Sequence, residues 1–135
     1  MFFKKKNETN EDLVKIAALL IHAAKIDESY SIKEKGIIEK ALLKLGANQA
    51  QIENIINQAK KIEENSNQIL DFTKQVKNMD NKNKLQIVET LWQIIYSNNE
   101  ADDYETSLMR RLGGLLYIDN KEMGDIKEKV KKENS

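Results

Sequence analysis

Apolar residues recur along this chain every three or four positions, the spacing at which side chains share one face of an α-helix. The first such segment follows Thr9, whose side chain can cap a helix start. Its apolar face carries Leu13, Ile16, Ala17, Leu20 and Ala24. From Ile16 to Ile21 the segment is apolar nearly all round, which is typical of a helix with neighbours on several sides. We therefore predict that the first helix is central.

Six further segments show helical periodicity, and their boundaries carry recognisable start and stop signals. The second runs from about Ile32 to Leu45 and stops at Gly46, because glycine readily takes the left-handed conformation that ends helices. The third helix is expected to open at Asn48, with Gln51 three residues on, and the fourth to cover Ile69 to Val76. Asp80 can cap the fifth. The sixth is expected to start at Asp102 or Asp103 and the seventh at Asp119. The chain has no proline and 5 glycines, so the pattern predicts an all-α fold.

A shift of 71 positions superimposes the first predicted helix on the fifth and the second on the sixth. It pairs Leu20 with Leu91, Glu34 with Glu105, Ile37 with Leu108, Leu45 with Leu116, and Asp27 with Asn98. Each helix-loop-helix unit is unable to cover its apolar helix alone, so two units are expected to pack together. We predict a compact bundle of about seven helices in two pseudo-symmetric halves. It forms one helical domain over residues 10–133, preceded by a flexible segment over residues 1–9.

Composition narrows the classes of function. The 22 basic residues balance the 22 acidic ones, so no net field attracts a nucleic acid backbone. No run approaches the roughly 20 apolar residues that span a bilayer. The start of the chain also lacks the basic segment followed by an apolar run that a secretory signal requires. Cysteine is absent, which suits a reducing compartment. We expect a cytoplasmic protein that binds neither DNA nor RNA and has no transmembrane segment.

The start of the chain carries a short basic cluster beside two aromatic residues. The residues are Phe2, Phe3, Lys4, Lys5 and Lys6. Charge runs near chain ends are usually solvated, and that is the interpretation we favour. The functional alternative is weak contact with an anionic membrane surface, in which the lysines meet the headgroups and the phenylalanines insert.

The two loops of the repeat hold the candidate chemistry, because each carries carboxylates beside a helix start. Asp27 and Glu34 belong to the first loop, and Glu105 belongs to the second. Ser31 with Glu34 has capping-box spacing, and capping is the interpretation we favour. The alternative is a hard-cation site formed by Asp27, Glu34 and Glu105, since calcium and magnesium prefer oxygen ligands. His22 lies in the apolar first helix, where a histidine bonded to a neighbour is commoner than a ligand.

Several motifs in the chain match one known family in order and in spacing. They are Leu19-Leu20, Ala23-Ala24, Asp27, Glu34, Phe72-Thr73, Leu91-Trp92, Asp103-Tyr104-Glu105, Leu108, Arg110-Arg111 and Gly114 to Tyr117. Over about residues 10–130 the sequence resembles the TerB family of tellurite-resistance proteins, whose fold also forms the N-terminal domain of the DjlA co-chaperones. The resemblance implies a two-half helical bundle with an acidic surface proposed to bind metal cations, and it implies no catalytic residue.

This sequence departs from the family pattern at three acidic positions, which hold His22, Gln93 and Asn98. Loss of negative charge weakens attraction to a divalent ion, so we expect no required cofactor and only weak calcium or magnesium binding. The chain also lacks a phosphate-binding glycine loop, a nucleophile elbow and an HExxH motif. We therefore predict a non-enzymatic interaction or stress-response module with an unknown protein partner. The alternative is a hydrolase or enzyme accessory domain that uses the carboxylates of Asp27, Glu34 and Glu105.

Overall fold

The computed structural model describes residues 10–25, 32–65, 70–97 and 103–133, and these ranges contain seven α-helices. The helices are α1 (Asn10–Ala24), α2 (Ile32–Lys44), α3 (Ile52–Glu64), α4 (Leu70–Lys77), α5 (Asn81–Tyr96), α6 (Asp103–Leu115) and α7 (Asn120–Glu133). The predicted all-α bundle is confirmed. Within the described ranges no helix is long and apolar enough to cross a membrane. Several predictions fall outside these ranges: the flexible segment over residues 1–9, the membrane contact and the Thr9 cap within it, the ligand Asp27, and the Ser31 cap.

Side-chain caps fix several helix starts where the sequence placed them. The Asp80 carboxylate accepts a hydrogen bond from the backbone N–H of Asn83 at 3.0 Å, at the start of α5. The Asp119 carboxylate accepts from the N–H of Lys121 at 2.9 Å, just before α7. Asn48 caps differently from the expected capping box, because its side-chain oxygen accepts from Ala50, two residues on. A 3-10 turn over Gln49–Gln51 therefore precedes α3.

Helix α1 occupies the centre of the bundle, as its apolar composition predicted. Its residues from Ile16 to Ile21 are fully buried, and it contacts α2, α3, α4 and α5. The widest contact is with α3 rather than with α5. The reason is the stripe of four small and branched residues that α3 presents, all buried: Ile52, Ile55, Ile56 and Ala59. Helix α5 packs mainly on α7 and also against α1 and α2.

The 71-residue repeat is visible in the backbone. Helices α2 and α6 begin and end 71 positions apart, and so do the residues that terminate them, Gly46 and Tyr117. Both terminators have positive φ, 107° and 58°. In each half the backbone N–H of the next residue donates to the carbonyl oxygen five positions earlier. Ala47 donates to Leu42 at 2.9 Å, and Ile118 donates to Gly113 at 3.0 Å. This is the Schellman termination in both halves, so the pseudo-symmetry is confirmed.

Candidate binding groove between α2 and α5

Glu34 is the predicted site residue whose contacts the structure describes most fully. It lies in the first turn of α2 and is only 2% exposed. The Ser97 hydroxyl, just beyond α5, donates to its carboxylate at 2.8 Å. The Lys33 ammonium donates to the Ser97 backbone oxygen at 2.9 Å. Glu34 and Lys33 therefore fasten the start of α2 to the end of α5, and a positive charge lies at the same junction.

The other two predicted ligands do not complete a described site. Glu105 is the third residue of α6, and Asp27 lies outside the described residues. Among the residues whose positions are described, no group of three histidine, cysteine, aspartate or glutamate side chains could hold a metal ion. The cation site of Asp27, Glu34 and Glu105 therefore stays a prediction.

His22 belongs to a partly buried ionic cluster that joins the end of α1 to α3. Its Nδ1 lies 3.1 Å from one Glu63 oxygen, and the Lys25 ammonium donates to the other oxygen at 2.8 Å. The expectation that His22 bonds a neighbour is confirmed. Burial alone would raise the pKa of Glu63, but the hydrogen bonds and charges of Lys25 and His22 outweigh it and hold that pKa below its ordinary value of 4.5. Glu63 is 41 residues from His22 and was not identified from the sequence.

A groove of about 350 Å³ lies between α2 and α5, and α7 reaches its edge. Helix α2 contributes Lys33, Ile37, Lys40, Ala41 and Lys44; the opposite wall is Gln86, Thr90, Gln93 and Ser97; and α7 contributes Glu133. The α2 residues lie four, seven, eight and eleven positions after Lys33, so they share one helix face. The lining thus holds three ammonium groups and one carboxylate.

All three groove lysines can meet a ligand, although Lys33 already donates one hydrogen bond to Ser97. Lys40 and Lys44 are exposed, and neither has an ion-pair partner within the described part of the chain. On the opposite wall the Thr90 hydroxyl donates to the Gln86 backbone oxygen at 2.9 Å and accepts from the Gln86 side-chain amide at 3.4 Å, while Gln93 also lines the groove. Sequence reasoning missed this site because it weighed net charge, whereas the signal was the helical spacing of lysines on α2.

A smaller cavity of about 180 Å³ lies where α6 and α7 meet the ring of Trp92. Trp92 and Tyr96 are buried in the core and stack with ring centres 5.8 Å apart. Met123 closes one side so tightly that a Cβ atom at Gly113 would lie 3.2 Å from its terminal methyl group. We therefore interpret this cavity as a gap in the packing between α6 and α7 and not as a binding site.

The fold and its two Schellman-terminated halves define a class: an all-α bundle built from a repeated helix-loop-helix unit. Over residues 13–128 the sequence matches the family described as tellurite resistance protein TerB. The chain belongs to the TerB family, as its motifs indicated.

The solved structures contain a similar fold. A protein of unknown function from Porphyromonas gingivalis W83 superimposes with a TM-score of 0.66 over 94% of this chain and 96% of that one. At 14% sequence identity this likeness concerns the fold alone. No curated protein sequence matches the chain.

Proposed function

We propose that this chain is a non-catalytic binding module of the TerB family that acts in the cytoplasm and receives a protein partner in the groove between α2 and α5. The lining of that groove carries the proposal. It offers ammonium and amide donors but no histidine or cysteine, and its one serine, Ser97, is buried with its hydroxyl held by the Glu34 carboxylate and the Ile94 backbone oxygen. A part in the response to stress is the finer proposal and rests on the family's description.

The contacts of Glu34 support a structural role for the one predicted ligand whose contacts are described. Its carboxylate accepts from Ser97, and Lys33 places a positive charge beside the same junction. A like charge opposes a divalent cation there. We therefore propose that calcium or magnesium binds weakly. The one contact that could serve the hydrolase alternative, the hydrogen bond from Ser97 to Glu34, joins two buried side chains.

Site-specific photo-crosslinking tests the proposal. A photoreactive residue at Gln86 in the groove should yield a discrete protein adduct in a cytoplasmic extract of the source cells. The same residue at Lys74, which is exposed on α4 away from the groove, is the matched control and should yield none.

Two results would contradict a non-catalytic module that binds through this groove. One is the absence of any adduct specific to position 86. The other is turnover of simple carboxylate or phosphate esters by the wild-type chain that Glu34→Gln abolishes while the variant stays folded by circular dichroism.

A further inference from the structure

We infer that the partner segment in this groove is an acidic stretch of polypeptide in an extended conformation, whose carboxylates pair with Lys33, Lys40 and Lys44. This inference rests on the proposed function and names the chemistry of its partner. It starts from the groove lining, where three positive charges face a wall of amide and hydroxyl groups with one opposing carboxylate, Glu133.

The positions of the lysines match a linear array of negative charges. A helix rises about 1.5 Å per residue, so Lys33 to Lys40 spans about 10 Å along α2 and Lys40 to Lys44 about 6 Å. An extended chain advances about 3.3 Å per residue, so acidic residues two or three positions apart have similar separations. A compact anion such as inorganic phosphate would reach one or two of these ammonium groups, whereas a run of carboxylates reaches all three.

The opposite wall suits a polypeptide backbone. Gln86 and Gln93 both line the groove from α5 and are only partly exposed. An amide side chain both donates and accepts, which is what the N–H and C=O groups of an extended strand require. Ile37 and Ala41 form the apolar part of the α2 wall, against which the methylene groups of glutamate side chains can pack.

Single-stranded nucleic acid is the competing polyanion, and the lining disfavours it. Proteins that bind single strands combine basic grooves with aromatic side chains on which bases stack. None of the ten residues that line this groove is aromatic or an arginine. The chain as a whole has no net charge, so it lacks the long-range attraction typical of nucleic-acid binders.

Fluorescence anisotropy of the full chain with a labelled octaglutamate peptide tests the inference. Wild-type protein should bind this peptide but not octaglutamine, and binding should weaken as salt rises. The double variant Lys40→Gln, Lys44→Gln should bind about tenfold more weakly, the loss expected for two exposed ion pairs. The matched control Lys61→Gln, Lys74→Gln makes the same change of net charge on α3 and α4 and should bind like wild type. Circular dichroism melts confirm that both variants fold.

Three outcomes would overturn the inference: no octaglutamate binding by wild type, equal weakening in the two double variants, or tighter binding of a single-stranded oligonucleotide of equal charge. The photo-crosslink at Gln86 separates this failure from that of the proposed function. An adduct at Gln86 without octaglutamate binding refutes only the acidic partner. Loss of both the adduct and the peptide binding refutes the binding module as well.

Discussion

Gly46 and Tyr117 occupy the same position in the two halves, yet one has no side chain and the other has a large one. Both hold a left-handed backbone, which costs a residue with a Cβ atom about 1 to 2 kcal/mol. Tyr117 is 71% exposed, and the Lys77 ammonium lies 4.9 Å from the centre of its ring. That contact offsets part of the strain in the second half, since exposed cation–π pairs contribute about 0.5 to 1 kcal/mol.

The backbone conformation at Gly46 predicts whether an alanine there stabilises or destabilises the fold. A Cβ atom there meets nothing within 4 Å, so Gly46→Ala should act only through the positive φ and lower the free energy of unfolding by about 1 kcal/mol. Gly124, within α7, also has open space around a Cβ atom. Gly124→Ala should therefore raise the free energy of unfolding by about 0.5 to 1 kcal/mol. Urea melts that give both variants the same sign would contradict this account.

The ionic cluster of His22, Lys25 and Glu63 predicts a pH dependence of stability. Because the folded state lowers the pKa of Glu63, the ionised carboxylate stabilises the fold above its ordinary pKa of 4.5, and this contribution is lost as the pH falls through the lowered value. Glu63→Gln should therefore destabilise the protein at pH 7 and narrow its difference from wild type at pH 3. Thermal melts across this range would measure the effect, and a difference that grows on acidification would contradict it.

At the scale of the element, the placement of α1 and α5 in the core predicts large losses on truncation. Leu20 and Leu91 are fully buried on these two helices. Leu20→Ala and Leu91→Ala should each lower the free energy of unfolding by about 2 to 5 kcal/mol, through lost burial and the cavity left behind. Ile32→Ala is the control, because Ile32 is 90% exposed and should cost little. Denaturant melts showing less than about 1 kcal/mol for both leucines would contradict the packing.

The helices were predictable because their signals are local. Asp80 and Asp119 cap residues two or three positions away, and Gly46 ends α2 through its own backbone. The site was harder to predict because its contacts join distant segments. Ser97 reaches Glu34 across 63 residues, a tie between helices that no local pattern indicates. The groove lysines share a face that sequence periodicity could have identified, but the facing glutamines depend on how α2 packs against α5.

At the scale of the whole molecule, we expect folding without metal. The apolar core includes residues from all the described helices, so we expect the bundle to be stable without a bound metal ion. A cation at 100 times its dissociation constant would add about 2.7 kcal/mol, which a thermal melt detects readily. We therefore predict that a chelator barely shifts the melting temperature and that millimolar calcium raises it only slightly. Asp27→Asn should remove that rise.

Two results would contradict the metal prediction. One is submicromolar calcium or magnesium affinity by isothermal titration calorimetry. The other is a chelator-treated sample that is unfolded by circular dichroism. Either would move metal binding to the centre of the function.

The central position of α1 also has a consequence for synthesis. α1 is made before α2, α3, α4 and α5, the helices that bury it. At about 5 to 20 residues per second, the ribosome needs several seconds to complete α5 after finishing α1. During that interval the segment from Ile16 to Ile21 has no complete core to enter. The nascent chain therefore presents this apolar segment before the helices that bury it are complete.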